Sequence, residues 1–140
     1  MEDNGIINRV NLLHEYFNFL DDIVIKETLD SFLNNKQVQL STERALHIVI
    51  EILLDLGNFL INKLKLPKPS TYSEIFKILC ENNVLPRDLR DTLIDMARFR
   101  NLLVHGYAKI DATRVYYILV DYLDLLKDVS ELLITKIESL

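Results

Sequence analysis

Residues 43–61, ERALHIVIEILLDLGNFLI, are apolar almost all the way round a helix. At about 100° per residue, His47, Glu51, Asp55, Asn58 and Asn62 fall on one narrow arc, and nearly every other position is aliphatic. A helix with so little polar surface is stable in water only if other helices enclose it. The spacing therefore predicts a central helix from about Glu43 to Leu64, capped by Ser41 or Thr42, in a bundle or a dimer. Glu51 and Asp55 interrupt the run, which is too short to cross a bilayer comfortably, so no membrane is expected.

Working outward, the same periodicity recurs on both sides. Ile6, Val10, Leu13, Phe17, Leu20 and Val24 step by three or four, which predicts a first helix from Ile6 to about Leu33, ended by the polar run NNKQ. After the central helix, KLPKPS holds two prolines and reads as a loop. Thr71 and Glu74 have capping-box spacing ahead of a short helix with Ile75, Phe76 and Leu79 on its apolar face. Pro86 suits the first position of a fourth helix that runs to His105 and stops at Gly106. Asp111 caps a fifth, which carries Val115, Ile118, Tyr122, Val129 and Leu132 almost to the C-terminus. The expected architecture is all-α: an antiparallel bundle of four long helices and one short one, as one domain over residues 1–140.

Composition agrees and narrows the function. With 49% hydrophobic residues and only three Gly and three Pro in 140, the chain suits long helices rather than many turns. A net charge of −5 argues against coating nucleic acid through a broad basic surface, so any RNA contact must be local. The single cysteine, Cys80, supplies no disulfide framework and reads as a buried thiol. MEDNGIINRV lacks the basic start and apolar core of a signal peptide, so the cytoplasm is the expected location.

The residues with chemistry cluster in RFRNLLVHGYAKID, 98–111. Leu89, Leu93, Met96, Ala97, Leu103 and Val104 form the apolar stripe of the fourth helix, and Arg100 falls near its centre. Burying an unpaired guanidinium costs several kcal/mol, so Arg100 needs a carboxylate, Glu51 or Asp55 of the central helix, or else a wet cleft or a subunit seam. Arg98 lies on the opposite, solvated side. His105 points about 140° away from Arg100 on a regular helix, so the two meet only if the chain breaks at Gly106 or a symmetric dimer joins two helix ends. Spacing alone is not decisive, because RVNLLH, Arg9 to His14, has the same Arg-x-x-x-x-His pattern inside a continuing helix. His14 and His47 read as ordinary helical histidines. A metal site from His47, Glu51 and Asp55 lacks a full ligand set, and no metal is expected.

The fuller context separates the second copy. Asn101 directly after Arg100, then LLVH, then Gly106-Tyr107 and Asp111, resembles the Arg-x-x-x-x-His-x-Tyr signature of the HEPN superfamily of helical ribonucleases, specifically HepT-type toxins. ERALHIVIEILLDLGNFLI also looks like that family's second helix, and helix order and lengths agree over nearly the whole chain. The resemblance implies a homodimeric HEPN-like bundle acting as a metal-independent endoribonuclease toxin without cofactors. Arg100 and His105 would be catalytic at a cleft in the dimer seam, with Asn101 supporting them. It further implies RNA as substrate, and as partner an MntA-type minimal nucleotidyltransferase antitoxin that adenylylates Tyr107. The alternative is a non-catalytic helical subunit that binds substrate for such a nucleotidyltransferase. The remaining tyrosines read as packing residues.

Overall fold

The computed structural model describes residues 2–140; the side chains of residues 2–4 and of Tyr107 lie outside the described ones. Six helices follow one another: α1 (Glu2–Lys26), α2 (Leu29–Leu33), α3 (Lys36–Lys63), α4 (Tyr72–Glu81), α5 (Arg90–His105) and α6 (Ala112–Glu138), and among the described residues there is no strand. The expected all-α bundle is what the chain forms, with one more short helix than its periodicity suggests.

That extra helix comes from a cap that competes with the apolar repeat. The first helix stops at Lys26 rather than Leu33, because Thr28 and Ser31 form a reciprocal pair. The Thr28 hydroxyl accepts from the Ser31 amide at 3.1 Å, and the Ser31 hydroxyl accepts from the Thr28 amide at 2.9 Å. This capping box opens α2, which turns Phe32 fully into the core against the Tyr116 ring, 5.4 Å away.

The run NNKQ, which reads as a break, is itself the start of the next helix. The Asn35 side chain accepts from the Val38 amide at 3.1 Å, so α3 begins at Lys36, ahead of Ser41 and Thr42. Thr42 is buried inside the helix and donates to the Val38 carbonyl at 2.7 Å. Buried Gln39 donates to the carbonyls of Phe32 and Leu33, satisfying the end of α2.

As its composition requires, α3 is the axis of the bundle and touches α1, α2, α4, α5 and α6. At 28 residues it is long and apolar enough to cross a membrane, but 61% of its most apolar window is buried against the other helices, the state of a core helix. Gly57 sets how closely α4 approaches: a Cβ there would stand 2.8 Å from Leu79 Cδ1 and 3.0 Å from Ile75 Cγ2. Cys80 of α4 is buried, and burial pushes its thiol up to about 11, far from the thiolate range.

Pro86 leads a single 3-10 turn, Arg87–Leu89, before α5 begins at Arg90. That helix ends at His105 as expected, with the Gly106 amide donating to the Leu102 carbonyl at 2.8 Å. Gly106 has φ −107°, so the stop is not a left-handed cap. What glycine supplies is space, since a Cβ would lie 2.5 Å from Leu102 Cδ1. A second 3-10 turn, Tyr107–Lys109, leads to Asp111, whose carboxylate accepts from the Thr113 amide at 3.0 Å and opens α6.

Candidate active site

Arg100 lies on the face of α5 that packs against α3, and it is only 8% exposed. Three elements hold its guanidinium. Nε donates to Glu51 Oε1 of α3 at 2.6 Å, Nη2 lies 2.6 Å from the same oxygen, and Nη1 donates to Asn101 Oδ1 at 2.9 Å. The Tyr72 ring, at the start of α4, stacks on the guanidinium with 4.4 Å from Cζ to the ring centroid. Glu51 thus resolves the pairing that the sequence leaves open between two carboxylates. Arg100 has five N–H groups, of which two make these hydrogen bonds. The remaining N–H groups have no hydrogen-bond partner among the described residues, and guanidinium N–H groups suit the oxygens of a phosphate.

Glu51 is itself held from behind. His47 Nε2 lies 3.5 Å from Glu51 Oε1, one turn along α3, and Arg44 Nη1 lies 3.3 Å from His47 Nδ1. A guanidinium is always a donor, so Nδ1 accepts and the ring's own proton sits on Nε2, facing Glu51. Burial, then the positive Arg44 and the more distant Arg100, hold the imidazole below its ordinary 6.5, outweighing the attraction of Glu51.

Asp55 turns the other way. It takes Nε of Arg9 on α1 at 3.1 Å, in an ion pair whose two side chains are 41% and 38% exposed. Glu51 and Asp55 each face an arginine, and among the described residues no group of three His, Cys, Asp or Glu gathers as a metal site. His14, the histidine of the first Arg-x-x-x-x-His copy, is exposed in the middle of α1.

His105, the last residue of α5, is exposed and makes no hydrogen bond with Arg100. The two residues are five apart on an unbroken helix, so their side chains diverge as the periodicity requires. A single chain therefore brings Arg100, Asn101 and Glu51 together but leaves His105 outside that group. The backbone of Tyr107 follows in the 3-10 turn; the modification expected at its phenol falls on a side chain outside the described residues. Sequence reading missed Tyr72 and the role of His47. Their available signals were a tyrosine directly behind the Thr71 cap and a histidine one helical turn before Glu51.

Comparison with known proteins places this geometry in context. Residues 12–133 match the family described as Ribonuclease HepT-like. The chain is 31% identical over 111 residues to the tRNA nuclease HepT of Aphanizomenon flos-aquae, a match that spans 79% of this chain and 75% of that protein. Its fold superposes on the cytosolic protein YutE from Bacillus subtilis with a TM-score of 0.83 at 22% identity, covering 99% and 92% of the two chains. It superposes equally well, with a TM-score of 0.83 at 21% identity, on the tri-AMPylated Shewanella oneidensis HEPN toxin solved with its MNT antitoxin, covering 93% and 96%.

Proposed function

The chain belongs to the HepT-like ribonuclease family, and from that premise we propose that it is a toxin endoribonuclease whose Arg100 and His105 act at a cleft between two copies. The observation that carries this reading is the split of the motif. Arg100 is buried and clamped with N–H groups to spare, whereas His105 is exposed at a helix end and makes no hydrogen bond with it. A homodimer that pairs the C-terminal ends of two α5 helices brings an arginine and a histidine to one phosphate.

There, His105 accepts the proton of the ribose 2′-hydroxyl as that oxygen attacks the adjacent phosphorus. The bond from phosphorus to the 5′ oxygen breaks, and the proton held on the imidazole passes to the departing oxygen. Arg100 offsets the negative charge that grows on the phosphate oxygens, and Asn101 and Glu51 keep the guanidinium aimed. The products are a cyclic phosphate and a free 5′-hydroxyl, reached without metal or cofactor.

The partner in this reading is a minimal nucleotidyltransferase that acts as antitoxin by adenylylating Tyr107, as the Shewanella toxin is AMPylated in complex with an MNT antitoxin. Tyr107 follows the helix stop within a short turn, where another enzyme can reach it more easily than a mid-helix tyrosine. Each adenylyl group adds roughly one negative charge, by analogy with other phosphate-adding modifications, two residues from His105. The location proposed is the cytoplasm, where RNA and ATP are both at hand and where a structural relative is described as residing.

One experiment tests these steps together. The purified protein should elute as a dimer and cut RNA in the presence of EDTA. After coexpression with the nucleotidyltransferase it should gain one or more adenylyl units on Tyr107 and lose that activity. A strict monomer that still cleaves, or full neutralisation at unchanged mass, overturns the composite site or the modification respectively.

A further inference from the structure

Tyr72 is 41% exposed although Arg100 covers one face of its ring. Beside the ring opens a cavity of about 290 Å³ lined by Asn58, Pro69, Ser70, Thr71, Tyr72 and Ile75, and Arg100 is not among its walls. The cavity has an apolar floor, since Ile75 is buried and Pro69 half-buried, and a polar rim. Two of the polar groups are already engaged: the Ser70 amide donates to Glu74 Oε1 at 2.8 Å, and the Thr71 hydroxyl accepts from the Glu74 amide. The Asn58 carboxamide is exposed and has no hydrogen-bond partner among the described residues, so it presents a donor and an acceptor together. Asn58 stands two turns from Glu51 on the same arc of α3, which sets this rim on the side of the bundle that carries the Arg100 clamp.

An aromatic face, an apolar floor and one amide edge are what an unstacked nucleobase requires. RNA bases splayed from single strands stack on tyrosine and are read at their edges by amides. We infer that the cavity is a nucleobase subsite: Tyr72 carries Arg100 on one face and takes on its other face the base next to the phosphate that Arg100 grips. The inference rests on Arg100 being the phosphate ligand and adds what holds the neighbouring nucleoside. The tyrosine ring then serves two purposes, fixing the guanidinium plane and setting the base one ring's thickness from the scissile linkage. The Thr71 cap ties the loop to α4, and the absence of a Cβ at Gly57 lets α4 rest directly on α3.

The test uses the whole protein and a short RNA with one mapped cleavage site, in which the base on either side of the scissile phosphate is removed to leave an abasic ribose. For the wild type, removing the base that occupies the subsite should raise KM by roughly five- to a hundredfold, the usual worth of one stacked base, with a smaller change in kcat. Tyr72→Phe should keep that penalty. Tyr72→Leu keeps an apolar surface under Arg100 but offers no stacking face, so it should cut intact and abasic RNA with nearly equal KM. Asn58→Ala should flatten the preference among bases at that position. Fluorescence anisotropy with 2′-O-methyl oligonucleotides, which cannot be cleaved, repeats the comparison by affinity should Tyr72→Leu loosen Arg100. No abasic penalty in the wild type, or the same penalty in Tyr72→Leu, overturns the subsite. If that happens while Arg100→Ala is inactive, only the subsite fails; if Arg100→Ala cleaves and binds like the wild type, the reading of the site fails as well.

Discussion

Two arginines, Arg9 and Arg100, stand five residues before a histidine, and both reach carboxylates one turn apart on the same helix, Asp55 and Glu51. Their surroundings differ in every respect that chemistry needs. Arg9 lies in a half-exposed ion pair and, among the described residues, also donates to the Gly5 carbonyl. Arg100 is buried, fixed on three sides and stacked on an aromatic ring. His14 sits mid-helix with the chain continuing past it, whereas His105 ends its helix at a glycine. A repeated spacing thus becomes a site only where burial holds the cation and a helix end frees the base.

The largest effect expected from breaking this asymmetry is on cleavage. Arg100→Ala and His105→Ala should each lower kcat by about a thousandfold or more, and the double variant should lose little further, because groups acting as a unit do not add. Single-turnover assays on one RNA check this. Independent, multiplying losses would separate the two residues into different roles.

Stability sharpens the contrast next. Glu51→Ala leaves a nearly buried guanidinium without its counter-ion, a loss of roughly 3–5 kcal/mol for a fully buried pair. Because Glu51 keeps 26% of its side chain exposed, water moderates this, and about 2 kcal/mol is expected. Asp55→Ala, across the half-exposed pair, should cost about 0.5 kcal/mol. Urea unfolding of both variants compares the two directly, and equal losses would erase the distinction between the pairs.

What the sequence made legible follows from which forces act locally. The apolar periods gave the all-α bundle and the central place of 43–61, because enclosing such a helix admits few alternatives. Arg100 on its stripe demanded a partner for the same reason. The break at Thr28 and the start at Lys36 escaped notice, since a Thr-Ser capping box and an Asn cap are weaker signals than an unbroken hydrophobic repeat. Tyr72 escaped because its value depends on α4 lying against α3, a contact set by Gly57 far from the motif.

A smaller, pH-dependent effect belongs to His47. Burial and Arg44 lower its folded value, so between that value and the ordinary 6.5 the unfolded chain binds more protons than the folded one. Stability should therefore be flat above about pH 7 on this account and fall as pH drops through 6.5. His47→Gln, which cannot take up a proton, should remove that part of the slope in denaturant midpoints measured from pH 7.5 to 5. An unchanged slope would mean that other groups set it.

The smallest effects should come from the first copy of the motif. Arg9→Ala gives up one half-exposed ion pair, worth at most about 0.5 to 1 kcal/mol, and His14→Ala trims an exposed side chain outside the core. Neither touches the Glu51, Asn101 and Tyr72 contacts that hold Arg100, so cleavage rates should stay within about twofold of the wild type, a change under half a kcal/mol in barrier. These near-silent variants carry weight because each removes one end of an Arg-x-x-x-x-His spacing identical to that of the second copy. If His14→Ala slowed cleavage as much as His105→Ala, spacing would count for more than burial and helix ends, and the catalytic histidine would have to be sought on α1 instead.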